Sequence, residues 1–266
     1  MRTEERPAMN RILITGSSGQ LGLTLEELAP GFKDVAFEFK TSTELDITDQ
    51  TCVNEMFQKG NFDYCINCAA YTNVEQAEKT SEPAFKVNAE GVKNLALACK
   101  VYGTTLIHIS TDYVFDGEKE TPYTIHDMPN PINEYGKSKL QGEEYIRQIL
   151  DEHYILRTSW LYSKKYGHNF YRTILSKAQE GQDLHITDTQ LGSPTNTETL
   201  AKFILGEIIP GKKSFGTYHV TDKEPMTWYD FAKRILEENG LGDKAKLVLD
   251  RNYRTFAKRP KNSVII

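Results

Sequence analysis

Long apolar runs are missing from this 266-residue sequence. No stretch approaches the roughly 20 apolar residues that span a bilayer, and residues 1–10 are charged and lack the apolar core of a secretory signal. We therefore expect no membrane association and a cytoplasmic location. Residues 1–10 also show no periodicity, so we expect a disordered leader ahead of the first strand.

Positive charge is also scarce. The sequence has 32 Lys and Arg against 37 Asp and Glu, a formal net charge of −5. Binding to a phosphate backbone needs a basic surface, so we expect no nucleic-acid partner.

Cysteine is the third scarcity, with four residues in the chain. This number is too low for a disulfide-rich secreted scaffold. Cys65 and Cys68 have a C-x-x-C spacing, but a strand through both would direct their side chains to opposite faces. We interpret them as buried thiols. No compact cluster of oxygen ligands is visible either, so we expect no metal site.

Apolar segments of two kinds alternate along the chain. Strand-like runs occupy residues 11–15, 35–39, 64–68, 105–110 and 154–157, and helical spacing occupies residues 21–28, 82–102 and 135–150. This alternation predicts an α/β fold, a Rossmann-type doubly wound parallel sheet covered by helices on both faces. Beyond Trp160 the pattern loosens. We expect a main Rossmann domain over 10–160, to which 192–220 returns, and a smaller C-terminal substrate-binding lobe formed by 161–191 and 221–266.

A glycine-rich turn follows the first strand and opens the first helix. It reads Gly16-Ser17-Ser18-Gly19-Gln20-Leu21-Gly22. Glycines allow a tight turn and a close approach to a pyrophosphate at the start of a helix, so the main domain is predicted to bind NAD(P). The G-x-x-G-x-x-G spacing is the form typical of short-chain dehydrogenases.

Three residues near the second strand are candidates for the adenosine half of that cofactor. Lys40 lies at the strand end, where the ribose 2′ position is recognised, and favours NADPH over NADH, although Glu38 offers an acid at the same place. Asp46 and Ile47 would contact adenine. A helix cap or turn is the alternative role for Asp46.

Tyr135 and Lys139 are four residues apart and therefore share one face of a helix. A tyrosine can donate a proton if a neighbouring ammonium lowers its pKa, and we expect Lys139 to do so. Thr111 follows the strand at 105–110 and can hold a carbonyl oxygen together with Tyr135. The alternatives are a solvated helix surface for Tyr135 and Lys139, and a loop cap for Thr111.

Motifs spread over nearly the whole chain occur in a known family. They occupy residues 16–22, 46–49, 67–72, 87–89, 110–117, 135–143, 157–160, 167–170, 190–195 and 259–263. In these motifs the sequence resembles the dTDP-4-dehydrorhamnose reductases, which are extended short-chain dehydrogenases. The resemblance implies reduction of the C4 keto group of dTDP-6-deoxy-L-lyxo-4-hexulose to dTDP-L-rhamnose, with NADPH as cofactor and NADH as the alternative. It also implies a monomer or a homodimer.

The resemblance assigns roles to three sets of residues. The catalytic set is Thr111, Tyr135 and Lys139. The cofactor set is Gly16, Ser18, Gly19, Gln20, Leu21, Gly22, Lys40, Asp46, Ile47, Cys68, Ala69, Ala70, Tyr71, Asn88, Tyr135 and Lys139. The substrate set is Thr111, Asp112, Tyr113, Trp160, Asn169 and Arg259. Asn169 and Arg259 would lie near the diphosphate, since Arg binds such groups in a bidentate geometry. A core position is the alternative for Trp160, and a solvated pair with Lys258 is the alternative for Arg259.

Two rival functions share most of these motifs. A sugar-nucleotide epimerase or dehydratase has the same glycine turn and Tyr/Lys pair, but dehydratases of this type need two acids after the threonine, and here Asp112 is followed by Tyr113. The second rival is a non-catalytic NADP-binding regulatory subunit, which the complete catalytic set disfavours. Relatives continue beyond the position of Ser263, so we also expect part of the substrate lobe to be absent from this sequence.

Overall fold

The computed structural model describes residues 9–266. Of the expected leader, residues 1–8 therefore lie outside the described residues, while Asn10 already begins the first strand.

Strands and helices alternate through the first half of the chain. The strands are β1 (Asn10–Thr15), β2 (Val35–Lys40), β3 (Tyr64–Asn67), β4 (Thr105–Thr111), β5 (His153–Thr158), β6 (Leu161–Tyr162), β7 (Leu184–Ile186), β8 (Leu191–Gly192), β9 (Thr195–Asn196), β10 (Gly216–His219), β11 (Met226–Thr227) and β12 (Leu247–Leu249). The helices are α1 (Gln20–Leu28), α2 (Gln50–Gly60), α3 (Val74–Lys79), α4 (Glu82–Phe85), α5 (Val92–Tyr102), α6 (Glu134–Ile149), α7 (Phe170–Gln179), α8 (Thr197–Phe203) and α9 (Trp228–Glu238). Wider π-helical turns join α4 to α5 and extend α8.

One six-stranded sheet organises the molecule, in the order β10-β5-β4-β3-β1-β2. Every pairing within it is parallel, which confirms the predicted Rossmann-type class. β1 has β2 on one side and β3 on the other, so the winding direction changes between β1 and β3. Open α/β sheets bind ligands at such a point, outside the carboxyl ends of the strands.

Alternate residues of the strands fill two apolar layers, because successive side chains point to opposite faces of a sheet. Leu13 and Cys65 pack with residues of α2, α5 and α6 on one face. Ile14 and Ile66 pack with residues of α1 and α8 on the other, and Cys68 contacts that second layer. The expected opposite placement of Cys65 and Cys68 is confirmed. Within residues 9–266, no three potential metal-ligating side chains cluster together.

A third apolar core lies apart from the sheet. Tyr171 and Ile174 of α7 pack with Phe231 and Ile235 of α9, next to Leu184 of β7. β7 pairs with β12, and β8 pairs with β11. This separate core supports the expected substrate lobe, whose boundaries stay a prediction. Among the described residues, no helix combines the length and apolar character that a membrane span requires.

Candidate active site

Loops at the carboxyl ends of β1, β3, β4 and β5 meet the start of α6 around a cavity of about 480 Å³. This is the edge of the sheet that the strand order identifies as the ligand-binding edge. The cavity brings together many of the predicted site residues: Gly19, Gln20, Leu21, Cys68, Ala69, Ala70, Thr111, Asp112, Tyr113, Tyr135, Lys139, Trp160, Asn169 and Arg259. Other predicted cofactor residues do not line it, namely Gly16, Ser18, Gly22, Lys40, Asp46, Ile47, Tyr71 and Asn88.

Two glycines of the turn allow close packing of the backbone. Gly16 has φ +62°, and a Cβ there would lie 2.6 Å from backbone atoms of Ala69. A Cβ on Gly22 would lie 2.5 Å from the backbone of Ser17. The absence of a side chain at Gly16 therefore lets the turn approach the loop after β3, and its absence at Gly22 lets the start of α1 pack on the turn itself.

Helix α1 begins without a side-chain cap. Its N-cap is Gly19, whereas side-chain oxygens accept hydrogen bonds at the starts of α2, α3, α6, α7, α8 and α9. The first turn of a helix carries unpaired N–H groups and the positive end of the helix dipole. The start of α1, which lines the cavity, therefore suits an anionic group such as a pyrophosphate.

Gln20 joins the glycine turn to the segment that precedes α7. Its Oε1 accepts hydrogen bonds from Ser163 N at 2.9 Å and from Asn169 Nδ2 at 2.7 Å. Asn169 also caps α7 through Arg172 N at 3.0 Å. The amide groups predicted to bind cofactor and substrate thus bind each other, and they hold the two parts of the cavity wall together.

The residues near the end of β2 have partners within the protein. Lys40 Nζ lies 3.1 Å from Glu38 Oε1, which weakens the sequence argument that Lys40 selects NADPH. Asp46 Oδ1 accepts from Thr48 N at 2.9 Å and from Thr48 Oγ1 at 2.8 Å, so it fills the alternative role as a turn residue. The Ile47 side chain is buried in the core of the sheet.

Asn88 is fully buried and holds the loop after β3 against α6. Its Oδ1 accepts from Tyr71 N at 2.9 Å, and its Nδ2 donates to Tyr71 O and to Ser138 Oγ, each at 3.0 Å. The side chain of Tyr71 is half-buried. Asn88 thus fixes the position of the cavity wall, and its amide is already satisfied by protein groups.

Helix α6 begins at the cavity and presents Tyr135 and Lys139 to it, as their spacing predicted. Asn133 caps this helix by accepting from Gly136 N at 2.8 Å. A Cβ on Gly136 would lie 2.2 Å from Tyr113 O, so glycine lets α6 approach the loop after β4. The Tyr113 and Tyr135 rings meet edge to face, with centroids 5.9 Å apart.

The protonation of these groups differs from expectation. Burial raises the pKa of Tyr135, the Thr111 hydroxyl partly opposes this, and Asp112 adds to it. The expected lowering of the Tyr135 pKa by Lys139 is wrong for the protein alone, since Lys139 Nζ instead lies 2.6 Å from Ile109 O. Burial lowers the pKa of Lys139 to about 8, although Glu143 acts in the opposite direction. At neutral pH the phenol is therefore protonated and can donate a proton.

Thr111 lies at the end of β4 with Asp112 behind it. The Thr111 hydroxyl donates to Asp112 Oδ1 at 3.1 Å and accepts from Tyr113 N at 3.2 Å. Ser159 Oγ donates to the other carboxylate oxygen at 2.8 Å, and burial raises the pKa of Asp112 to about 6. Thr111 thus caps a turn and also lines the cavity. The Asp112 carboxylate accepts hydrogen bonds from these two hydroxyls, which argues against its predicted contact with the substrate.

Aromatic rings form another wall of the cavity. The Trp160 ring stacks on the Trp228 ring, with centroids 3.5 Å apart and an angle of 5° between the planes. The centroid of the Phe170 ring lies 4.6 Å from that of Trp228. A Cβ on Gly192 would lie 2.4 Å from the Trp160 ring. Trp160 is half-buried at the cavity, so it is more than a core residue. Sequence reasoning missed Trp228, Phe170 and Phe231, because helical spacing does not show which rings of a helix face a cavity.

Arg259 lies between this cavity and a neighbouring one of about 590 Å³. Its Nη2 donates to Glu75 Oε1 at 2.8 Å, and its Nη1 donates to Tyr113 Oη at 3.3 Å. Nε is buried and has no partner among residues 9–266. The neighbouring cavity also exposes Lys177 and His185. The positive charge of a guanidinium at this junction suits a negatively charged ligand group.

Comparison with known proteins gives consistent matches. The family model "RmlD substrate binding domain" matches residues 9–266. The spore coat polysaccharide biosynthesis protein SpsK of Bacillus subtilis strain 168 is 38% identical over 263 residues, covering 97% of this chain and 89% of that protein. A dTDP-4-dehydrorhamnose reductase of Aggregatibacter actinomycetemcomitans is 37% identical over 275 residues, covering 97% and 90%. The crystal structure of dTDP-4-dehydrorhamnose reductase from Bacillus anthracis strain Ames, in complex with NADP, superposes with a TM-score of 0.90 at 36% identity, covering 97% of this chain and 90% of that one.

Proposed function

We propose that this chain, which belongs to the RmlD substrate binding domain family, reduces the C4 keto group of dTDP-6-deoxy-L-lyxo-4-hexulose to give dTDP-L-rhamnose. The resemblance seen in the sequence is confirmed by relatives named for that reaction. The observation that carries the proposal is that Thr111, Tyr135 and Lys139 line one cavity with the uncapped start of α1.

The cofactor proposed for this cavity is NADPH, because the related Bacillus anthracis structure is a complex with NADP. The backbone N–H groups at Gly19 to Leu21 would hold its pyrophosphate, because the first turn of α1 has no side-chain cap. Cys68, Ala69 and Ala70 would line the opposite side, where Gly16 admits close approach. When bound, NADPH supplies the hydride for the reduction. NADH stays the alternative, since Glu38 pairs with Lys40.

Tyr135 acts as the proton donor. As the carbonyl oxygen gains negative charge, the Tyr135 hydroxyl gives it a proton, and burial keeps that hydroxyl protonated until then. A positioned general acid contributes roughly a hundred- to ten-thousand-fold to a rate. The Thr111 hydroxyl would orient the same oxygen by turning its hydrogen from Asp112 Oδ1 to the carbonyl. The ammonium of Lys139, present below a pH of about 8, adds positive charge at this end of the cavity.

The aromatic wall and Arg259 would hold the sugar nucleotide. Trp160 and Trp228 offer a flat apolar surface for the deoxyhexulose ring. Arg259 would bind the diphosphate through its positive charge, at the junction with the neighbouring cavity. That cavity has room for the nucleoside. Asn169 contributes by fixing the start of α7, as its amide already binds Gln20.

The test is a reduction assay with the purified protein, NADPH and enzymatically prepared dTDP-6-deoxy-L-lyxo-4-hexulose. We expect equimolar loss of NADPH and formation of dTDP-L-rhamnose, identified by NMR. Other 4-keto sugar nucleotides, tested in parallel and with NADH, measure the specificity. If NADPH binds but no keto sugar in the panel consumes it, the chain is a binding subunit and the proposal is wrong.

A further inference from the structure

A row of buried polar side chains crosses the sheet and ends at Lys139. Thr15 Oγ1 donates to Asn67 Oδ1 at 2.7 Å, and Asn67 Nδ2 lies 3.1 Å from His108 Nδ1. His108 Nε2 in turn lies 3.4 Å from Lys139 Nζ. All four residues are at most 2% exposed. Three adjacent strands, β1, β3 and β4, thus contribute one polar residue each to a line that reaches the catalytic helix.

The direction of this row is fixed at Asn67. Besides the Thr15 hydroxyl, the backbone N–H of Ala69 points at Asn67 Oδ1, at 3.1 Å. A backbone N–H can only donate, so the atom it faces must be the amide oxygen. The NH₂ group of Asn67 therefore faces His108, and His108 Nδ1 must accept.

The acceptor role of Nδ1 determines where the imidazole proton lies. Burial, together with the charge of Lys139, lowers the pKa of His108 well below its ordinary value, so the ring is neutral. A neutral imidazole with an accepting Nδ1 carries its proton on Nε2. That N–H points at Lys139 Nζ.

We propose that His108 is a positioning residue that acts on Lys139: its Nε2–H, directed by Asn67, favours the neutral amine of Lys139 over the ammonium. This inference rests on the proposed catalytic role of Lys139. An ammonium offers only donors, so it cannot accept from Nε2–H, whereas an amine can.

The distances at Lys139 agree with a donor facing a donor. Nζ lies 2.6 Å from Ile109 O but 3.4 Å from His108 Nε2, beyond the usual 2.7–3.2 Å range of hydrogen bonds from nitrogen. The titratable groups around Nζ are Glu143 on the same helix, Cys68 after β3 and His108 on β4, with Tyr135 lining the same cavity. Glu143 favours the ammonium form of Lys139. Burial and, by this proposal, His108 favour the neutral amine.

The tautomer can be measured directly on the unmodified protein. Imidazole ¹⁵N chemical shifts distinguish protonated from unprotonated ring nitrogens, and the His108 signals are assigned by their loss in His108→Gln. We expect a protonated Nε2 and an unprotonated Nδ1. A proton on Nδ1 would overturn the proposal, whether or not any variant folds.

Two variants then test the effect on Lys139, whose titration is followed by NMR of ¹³Cε-labelled lysine and assigned with Lys139→Arg. In His108→Gln the amide oxygen accepts from Asn67 Nδ2 and the NH₂ group takes the place of Nε2–H, so the titration midpoint of Lys139 should change by less than about half a pH unit. Asn67→Asp replaces the donor facing Nδ1 by an acceptor, so the proton should move to Nδ1, Nε2 can accept from the ammonium, and the midpoint should rise by about one pH unit.

Thr15→Val is the matched control. It removes one hydrogen bond from the same row but leaves Ala69 N–H to orient Asn67, so the tautomer and the Lys139 midpoint should stay unchanged. An unchanged midpoint in Asn67→Asp, or a rise in His108→Gln as large as in Asn67→Asp, would contradict the proposal. These measurements need no turnover, so a failure of this inference can be distinguished from a failure of the proposed function.

Discussion

The two walls of the cavity are built in different ways. The wall of Tyr135 and Lys139 is backed by buried polar groups: Asn67 and His108 on one side, Glu143 and Arg157 on the other. The second wall consists of stacked rings, chiefly Trp160 and Trp228. Hydrogen-bonded charges fix position to a fraction of an ångström, whereas an aromatic surface offers area with few directional demands.

This difference suggests a division of work. The polar wall carries the groups proposed to move a proton, for which geometry and charge state decide the rate. The aromatic wall is proposed to hold the sugar ring and to contribute mainly to binding. Changes in the first should therefore lower kcat or stability, and changes in the second should raise KM.

The largest effect is expected from the proton donor. Tyr135→Phe removes only the hydroxyl, so kcat should fall roughly a hundred- to ten-thousand-fold while NADPH binding is retained. Steady-state kinetics and a cofactor titration measure the two. Turnover close to that of the unmodified protein would remove Tyr135 from the mechanism.

The next largest effect concerns the ion pair between Glu143 of α6 and Arg157 of β5. Glu143 is fully buried and binds Arg157 Nη2 at 2.7 Å and Ser110 Oγ. Burial would raise the pKa of Glu143, but the hydrogen bond and charge of Arg157 outweigh it and lower that pKa. Glu143→Gln leaves Arg157 buried without its counter-charge, so the free energy of unfolding should fall by about 3–5 kcal/mol.

Denaturant unfolding checks this value. Glu144→Gln, one position along on the exposed side of α6, is the matched control and should change stability by less than about 0.5 kcal/mol. Equal losses in both variants would show that the buried pair has no special part in holding the polar wall.

The aromatic wall should respond in KM. Trp228→Ala removes the partner on which Trp160 stacks, and KM for the sugar nucleotide should rise about tenfold with a smaller change in kcat. Trp228→Phe keeps a ring and should lie close to the unmodified protein. A loss confined to kcat would contradict the division between the walls.

The pH profile sharpens the same comparison. The pKa of Lys139, about 8, lies below its ordinary value, so the ammonium predominates below pH 8 and is lost as the pH rises through 8. Burial raises the pKa of Tyr135, so its ionisation does not enter this range. We expect kcat/KM to fall up to about tenfold per pH unit above pH 8. A profile that stays flat to pH 10 would contradict the role of the Lys139 charge.

The smallest effect is expected where the walls are joined. Gln20→Ala removes the acceptor of Ser163 N and Asn169 Nδ2. At about 1 kcal/mol for the net loss, NADPH should bind about fivefold more weakly. Gln148→Ala, exposed on α6, is the control and should leave the dissociation constant unchanged. Equal affinities in both variants would mean that the joint does not influence the cofactor site.

Much of the polar wall was predictable from the sequence, because it depends on local patterns. The glycine turn, the spacing of Tyr135 and Lys139, and the strand that ends at Thr111 all follow from short-range periodicity. What could not be predicted was the use of particular side chains: Asn88 and Asp112 bind protein groups, and Lys139 turns to Ile109 O. Such choices depend on neighbours that the fold brings from distant positions.

The aromatic wall was harder to predict. Its strands β8, β9 and β11 are two residues long and show no period. Trp228 lies 68 positions after Trp160, and only the packing of α9 on α7 brings its ring to the cavity.

The most direct test follows the hydrogen that NADPH transfers to C4 of the sugar. With NADPH deuterated at the transferred position of the nicotinamide, we expect dTDP-L-rhamnose that carries one deuterium, bound to C4. In Tyr135→Phe we expect near-complete loss of this product. A product without deuterium at C4, or equal labelling rates in the unmodified protein and in Tyr135→Phe, would contradict it.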